Sequence, residues 1–211
     1  MVEGAERLTF ESGSLLLEGM LLDGNDDGAL AIIMHPHPRY GGDMDNDVVL
    51  ELCAALNATG ATTLRFNFRG AGRSQGSYDG GRGERDDALA AAAFLRERRP
   101  VSPLIAAGYS FGAMIAAGVA AELAPRALVL VSPPVAHTPM PALPEGLPTL
   151  AIAGDHDAYA PSDRIGATSG AKVVVVPGVD HFWSGGLRAL NAEVSVFVCA
   201  ALQSGSATSS A

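Results

Sequence analysis

Short apolar runs alternate with longer helical patterns through most of this 211-residue chain. Runs such as 29–34, 104–108 and 127–131 have no polar face, as expected for strands that are buried on both sides of a sheet. The stretches 48–58 and 84–98 between them carry an apolar stripe at helical spacing or are rich in alanine. This alternation predicts an α/β fold with right-handed crossovers and a mostly parallel, twisted sheet that has helices on both faces.

The same patterns place the individual elements. Strands are predicted at 7–11, 15–22, 29–34, 62–68, 104–108, 127–131, 149–153 and 172–176, and helices at 48–58, 84–98, 111–123, 162–170 and 187–202. The first two strands should form an antiparallel hairpin at one edge of the sheet. We expect a single domain over residues 1–202 and a disordered tail over 203–211, since the tail consists of small and polar residues.

Charge and cysteine usage exclude several classes of protein. The formal net charge of −9 disfavours nucleic acid and anionic membrane surfaces as partners. Cys53 and Cys199 lie far apart with no CxxC pair, so no zinc site or redox motif is expected. No stretch is apolar enough to predict a membrane span, and the first residues do not resemble a signal peptide, so we expect a cytoplasmic protein. The oligomeric state is not predicted by any feature of the sequence.

A serine follows one of the buried strands in a pattern that favours a nucleophile. Residues 108–112 read Gly-Tyr-Ser-Phe-Gly, a G-x-S-x-G motif between a predicted strand and a predicted helix. Glycines are needed on both sides because a Cβ would collide with the neighbouring strand or helix in so sharp a turn. The turn should lift the Ser110 hydroxyl above the sheet, at the positive end of the helix that follows.

A base and an acid follow later strands. His181 lies in the loop after the strand at 172–176, and Asp155 and Asp157 are candidate carboxylates after the strand at 149–153. Because ligands bind at the carboxyl ends of the strands in such sheets, these groups should lie near Ser110. A histidine would then accept the serine proton, and a carboxylate would hold its imidazole in the required tautomer.

Several motifs together resemble the α/β-hydrolase superfamily over residues 29–200. They are His-Pro-His-Pro at 35–38, Arg-Phe-Asn-Phe-Arg-Gly-Ala-Gly-Arg-Ser at 65–74, the G-x-S-x-G motif, Gly-Asp-His-Asp at 154–157 and Asp-His-Phe at 180–182. Within it, the chain is similar to small, lidless bacterial serine hydrolases related to dienelactone hydrolase. The superfamily's acid follows a glycine by three residues and precedes a proline by four, which favours Asp157 over Asp155. The nucleophile is Ser110 where dienelactone hydrolases have cysteine, which favours ordinary ester chemistry.

The resemblance also implies an oxyanion hole and an open cleft. Phe111 should supply one backbone N–H. The other should come from the loop after the strand at 29–34, where Pro36 and Pro38 have no N–H; His37 is favoured over Arg39 or Tyr40. The connection 132–148 is too short for a cap domain. The candidate cleft walls are Tyr40, Met140, Tyr159, Phe182 and Trp183.

These features predict a serine carboxylesterase that acts on small, short-acyl esters through Ser110, His181 and Asp157. A thioesterase or a peptidase could use the same residues, and a non-catalytic binding protein on the same fold is a further alternative. The expected partner is a small-molecule ester. No cofactor and no metal is predicted, because acyl transfer needs none and the histidines show no metal-ligand spacing.

Overall fold

One mixed sheet forms the centre of the molecule. The computed structural model describes residues 4–204, apart from the side chains of residues 167–169. Within this range eight strands form a single sheet in the order β1-β2-β4-β3-β5-β6-β7-β8. The strands are β1 (Glu6–Ser12), β2 (Leu15–Leu22), β3 (Leu30–Met34), β4 (Thr62–Phe66), β5 (Leu104–Tyr109), β6 (Ala127–Val131), β7 (Thr149–Gly154) and β8 (Lys172–Val176). β1 pairs with β2, and β2 with β4, in antiparallel register, and the other pairs are parallel.

Helices cover both faces of the sheet because the central strands are apolar on both sides. The helices are α1 (Asp47–Ala58), α2 (Arg82–Arg98), α3 (Phe111–Gly118), α4 (Ala120–Leu123), α5 (Ser162–Ser169) and α6 (Leu187–Gln203), and Pro38–Tyr40 forms a short 3₁₀ turn. One core contains side chains of α1 and α6, and the other contains side chains of α2, α3, α4 and α5. Alternate residues of β3 and β5 belong to opposite cores, as the pleat of a strand requires.

The predicted α/β-hydrolase fold is confirmed, with small differences in individual elements. The predicted helix at 111–123 is interrupted at Val119, where φ is −109° and ψ is 6°. Glycine at position 118 weakens the helix just before this point. The predicted strand at 62–68 ends at Phe66, because the Phe68 N–H donates to His35 Nε2 at 3.1 Å and leaves the strand ladder.

Only the first residues of the predicted tail lie within the described part of the chain. Of the predicted tail at 203–211, Gln203 is the last residue of α6, and residues 205–211 lie outside the described part of the chain. Over residues 4–204, no helix is both long and apolar enough to cross a membrane.

The parallel strands deliver the candidate residues to one edge of the sheet. His35 directly follows β3, Ser110 follows β5, and Ser132 follows β6. Asp157 lies three residues beyond β7 and His181 five residues beyond β8. All of these positions are at the carboxyl ends of the strands, where open α/β sheets bind their ligands.

Candidate active site

Ser110 stands on a strained turn between β5 and α3. Its φ is +54°, a left-handed conformation that a residue with a side chain rarely adopts. A Cβ at Gly108 would collide with the Gly112 carbonyl, and a Cβ at Gly112 would collide with the Met34 carbonyl. Both glycines are therefore required for α3 to pack this closely, and the turn directs the Ser110 hydroxyl towards the loops above the sheet.

Three side chains from separate loops form a continuous hydrogen-bonded chain. The Ser110 Oγ lies 3.1 Å from His181 Nε2. His181 Nδ1 lies 2.9 Å and 3.0 Å from the two carboxylate oxygens of Asp157. With the proton on Nδ1 donated to Asp157, Nε2 is left to accept the Ser110 hydroxyl proton. The arrangement has the connectivity of a serine nucleophile, its general base and an orienting acid.

Asp157 is held as a carboxylate although its side chain is fully buried. Its Oδ1 also accepts the backbone N–H groups of Tyr159 and Ala160, each at 3.0 Å. Burial by itself raises the pKa of this carboxyl. Hydrogen bonds from His181 and Ser132, the charge of His181 and the Ala160 N–H outweigh burial, so the pKa of Asp157 lies below its usual value. The acid that orients His181 therefore stays ionised at neutral pH.

Asp155, the other candidate acid, has a different role. Its Oδ1 accepts the Gly178 N–H at 2.6 Å and so ties the turn after β7 to the turn after β8. Its second neighbour is the exposed His156, at 3.9 Å. Asp157 is thus the carboxylate that the structure brings to His181.

Two backbone N–H groups near Ser110 are free to bind an anionic oxygen. In the loop after β3, the Arg39 N–H donates to His37 Nδ1 and the Tyr40 N–H donates to the His37 carbonyl. Among the described residues, the N–H groups of His37 and Phe111 have no such partner. Both residues line the same cleft as Ser110. They are the two donors that the sequence favoured for an oxyanion hole.

His35 braces this loop from below. It is fully buried, with Nδ1 2.6 Å from the Pro36 carbonyl and Nε2 accepting the Phe68 N–H. Burial, with a smaller contribution from the charge of His37, lowers its pKa from 6.5 to about 4, so the ring is neutral. Over the described residues, no three histidine, cysteine or acidic side chains group in a way that could hold a metal ion.

The cleft above Ser110 is wide and has aromatic walls. Its volume is about 1280 Å³. Of the five predicted wall residues, Tyr40, Tyr159 and Phe182 line it. Tyr40 is 88 % exposed and Phe182 71 % exposed. The rings of Tyr40, Tyr78 and Phe111 each lie within 5 Å of the His37 ring, measured between centroids.

The other two predicted wall residues do not line the cleft. Trp183 is 1 % exposed and belongs to the core beneath α6, where its indole N–H donates to Ser132 Oγ at 2.9 Å. Met140 is buried in the opposite core, although its neighbours Pro139 and Pro141 reach the cleft. Both predictions were wrong because an apolar residue in a loop can pack downwards against the sheet as readily as it can face a ligand.

Sequence reasoning also missed residues that line the cleft. Met114 and Ile115 follow Phe111 at helical spacing on α3, a signal that could have found them. Tyr78 and the arginines Arg82 and Arg85 come from the segment before α2 and its first turn, for which no pattern was available. None of the described residues that line the cleft is Asp or Glu, although the chain contains 23 acidic residues.

Comparison with known protein families agrees with this geometry. The sequence profile of the Hydrolase_4 family, described as serine aminopeptidase S33, matches residues 41–156. The chain belongs to this family. The matched segment contains the Ser110 turn and ends one residue before Asp157, so it does not include His181.

Solved structures extend the similarity over nearly the whole chain. A lidless α/β serine hydrolase from Xanthomonas campestris is 32 % identical, with a TM-score of 0.85 over 94 % of this chain and 95 % of that chain. An α/β serine hydrolase homologue from Coxiella burnetii is 35 % identical, with a TM-score of 0.81 over 92 % and 98 %. An uncharacterised protein of Rickettsia prowazekii is 34 % identical over 73 % of this chain and 71 % of its own length. The chain is therefore a lidless α/β serine hydrolase.

Proposed function

We propose that this protein is a carboxylesterase that cleaves small, short-acyl esters through Ser110, His181 and Asp157. The observation that carries the proposal is the unbroken chain of hydrogen bonds from Ser110 Oγ through His181 to Asp157. This chain of hydrogen bonds begins at a serine with a left-handed backbone conformation, in the same cleft as the unpaired N–H groups of His37 and Phe111. Each part supplies something that acyl transfer needs: a nucleophile, a base and a site for the oxyanion.

The reaction follows from these contacts. The Ser110 Oγ attacks the ester carbonyl carbon while His181 Nε2 accepts the hydroxyl proton, and the buried Asp157 carboxylate stabilises the imidazolium. The carbonyl oxygen becomes an oxyanion that accepts the N–H groups of His37 and Phe111. When the tetrahedral intermediate collapses, His181 returns the proton to the departing alcohol. Water then attacks the acyl-enzyme by the same route and releases the carboxylic acid.

Short acyl groups are favoured because no cap domain lies over the cleft within residues 4–204. Residues 132–148, which join β6 to β7, contain no helix. The apolar strip beside the nucleophile is short and consists of Phe111, Met114 and Ile115. Beyond it, a longer acyl chain would meet only the exposed part of the wall, where Tyr40 is 88 % and Phe182 71 % exposed, and would gain only part of the about 0.8 kcal/mol that each fully buried methylene contributes.

A series of p-nitrophenyl esters from acetate to palmitate tests the proposed substrate class. We expect kcat/KM to be highest between acetate and butyrate and to fall for longer chains, with all activity lost in Ser110→Ala. A maximum at palmitate would contradict the preference for short acyl groups. A wild-type protein that neither hydrolyses any of these esters nor reacts with a fluorophosphonate would contradict the enzyme assignment and favour a binding protein.

Peptide hydrolysis is the second candidate, because the family's description is that of a serine aminopeptidase. An aminopeptidase must bind the protonated α-amine of its substrate, for which a carboxylate is the natural partner. Arg82 and Arg85 line the cleft, and none of the described lining residues is acidic. We therefore expect aminoacyl p-nitroanilides to be much poorer substrates than p-nitrophenyl butyrate. Butyryl thioesters measured beside them distinguish a thioesterase.

A further inference from the structure

Two hydrogen bonds to residues at the ends of β5 and β6 hold the loop that carries His181. The Tyr109 hydroxyl donates to the His181 backbone carbonyl at 2.7 Å. Two residues further along the loop, the Trp183 indole N–H donates to Ser132 Oγ at 2.9 Å. The contact between Trp183 and Ser132 is buried, with exposures of 1 % and 0 %, whereas the contact between Tyr109 and His181 is partly buried, with Tyr109 itself 3 % exposed. The loop is thus fixed at His181 itself and again two residues later, by residues at the ends of β5 and β6.

Tyr109 connects the base directly to the nucleophile. It is the residue before Ser110, and its ring centroid lies 5.7 Å from that of His181. Burial and the negative charges of Asp157 and Asp180 raise the pKa of its phenol, so the hydroxyl is protonated and can donate at neutral pH. One residue therefore fixes the distance between the Ser110 turn and the His181 backbone.

The Trp183 contact lies two residues further along the loop and involves Ser132, which is also a partner of the acid Asp157. An indole N–H can only donate, so Ser132 Oγ is the acceptor in this contact and keeps its own proton for another partner. Ser132 also contributes to lowering the pKa of the Asp157 carboxyl. Both Ser132, with a φ of +46°, and Trp183, with a φ of +61°, adopt the left-handed conformation. Packing and hydrogen bonds must hold these two residues in a backbone conformation that is unfavourable for them.

We propose that Tyr109 and Trp183 are positioning residues that together hold His181 within hydrogen-bonding distance of both Ser110 and Asp157. The proposal rests on the proposed function, since it assigns these residues to the same reaction. Trp183 does not line the cleft, and Tyr109 lines it but is only 3 % exposed, so neither offers a substrate much surface. Their effect reaches the reaction through the position of the imidazole, so they should affect kcat and leave substrate binding almost unchanged.

The test is Tyr109→Phe, which removes one hydroxyl and keeps the ring. The matched control is Thr149→Val, which removes a buried hydroxyl that also donates to a backbone carbonyl, that of Leu147 at 3.0 Å, at the opposite end of β7. On p-nitrophenyl butyrate we expect Tyr109→Phe to lower kcat about three- to tenfold with KM within about twofold, the effect of losing one hydrogen bond. Thr149→Val should leave both constants unchanged.

Two further measurements separate positioning from a loss of stability. The low-field proton resonance of His181 Nδ1–H reports its hydrogen bond to Asp157 and should shift or broaden in Tyr109→Phe, but not in Thr149→Val. Trp183→Phe should also lower kcat, and the double variant should lose less than the product of the two single effects, because both act on one loop.

The proposal is overturned if Tyr109→Phe has the same kcat and the same proton resonance as Thr149→Val. This comparison does not need Trp183→Phe, so it can be made even if that variant does not fold. Failure of the proposed function gives a different result: wild-type protein and Ser110→Ala would then react equally with a fluorophosphonate.

Discussion

The corner formed by Ser110, His181 and Asp157 differs sharply from the wall of the cleft above it. In the corner, the His181 side chain is 11 % exposed and that of Asp157 is fully buried, and each polar atom has a directed partner. In the wall, Tyr40 and Phe182 extend largely into solvent and contact mainly other rings. Both regions are built from loops at the same edge of the sheet.

The two regions therefore control different properties of the protein. The corner is constrained by backbone strain and hydrogen bonds that leave one arrangement of its side chains, so the chemistry is fixed. The wall is held by weak contacts between exposed rings, so it can change with little effect on folding. Variants should therefore separate into a group that loses catalysis and a group that alters substrate binding.

Replacing the nucleophile should give the largest effect. Ser110→Ala should lower kcat by about 10⁴- to 10⁶-fold, because the base and the oxyanion donors then have no nucleophile to assist. Steady-state hydrolysis of p-nitrophenyl butyrate measures this loss, and urea denaturation should show that the variant remains folded. Retention of more than about a tenth of the activity would remove Ser110 from the mechanism.

The two aspartates after β7 offer a matched pair. Asp157→Asn should lower kcat by about 10³- to 10⁴-fold, because an amide can neither hold the required tautomer nor stabilise the imidazolium. Asp155→Asn should change kcat by less than about threefold, because its side chain does not contact His181 and an amide oxygen can still accept the Gly178 N–H. The same ester assay measures both variants. Equal losses of kcat in the two variants would contradict the assignment of Asp157, and not Asp155, as the acid that orients His181.

His35 connects the two regions, because it braces the loop that carries His37 and Tyr40. The pKa of His35 is 6.5 in the unfolded chain, whereas it is about 4 in the folded protein. The unfolded state therefore binds more protons between these values, and the free energy of unfolding should fall as the pH falls through them. The total loss should be on the order of 3 kcal/mol.

Urea denaturation between pH 7 and pH 4.5 measures this dependence. His35→Gln should be less stable than wild type at pH 7, and its stability should depend less on pH. His156→Gln, at an exposed histidine, should keep the wild-type dependence. Parallel curves for wild type and His35→Gln would show that His35 is not the group that titrates.

Changes in the wall should have the smallest effects. Tyr40→Ala and Phe182→Ala should raise KM by about two- to fivefold with little change in kcat, because each removes part of an apolar surface that the ester covers. The free energy of unfolding should change by less than about 0.5 kcal/mol. Val101→Ala, at a residue that is 97 % exposed beyond the opposite edge of the sheet, is the control. A loss of kcat comparable to that of Asp157→Asn would erase the distinction between the two regions.

The sequence predicted the fold and the position of the corner for physical reasons. Strands buried on both faces leave continuous apolar runs, and the residues that directly follow them must meet at one edge of the sheet. Ser110 could be found because its sharp turn needs glycines at 108 and 112. Asp157 and His181 followed from their position after later strands and from resemblance to a known superfamily.

The cleft wall could not be predicted in the same way. Whether a ring in a loop faces the ligand or the core depends on the path of that loop, which no periodicity encodes. Trp183 shows this clearly, because its left-handed backbone turns the indole under the sheet edge to Ser132, whereas its neighbour Phe182 points outwards. Tyr78 reaches the cleft from an irregular segment before α2. Because such a segment has no periodicity, no signal in the sequence indicates where its side chains point.

The central claim is that Ser110 is the nucleophile activated by His181. It is tested most directly by reacting the protein with a fluorophosphonate and locating the adduct by peptide mass spectrometry. We expect one adduct, on Ser110, that is absent from Ser110→Ala and forms much more slowly in Asp157→Asn. An adduct on another serine, or equal labelling of wild type and Ser110→Ala, would contradict it.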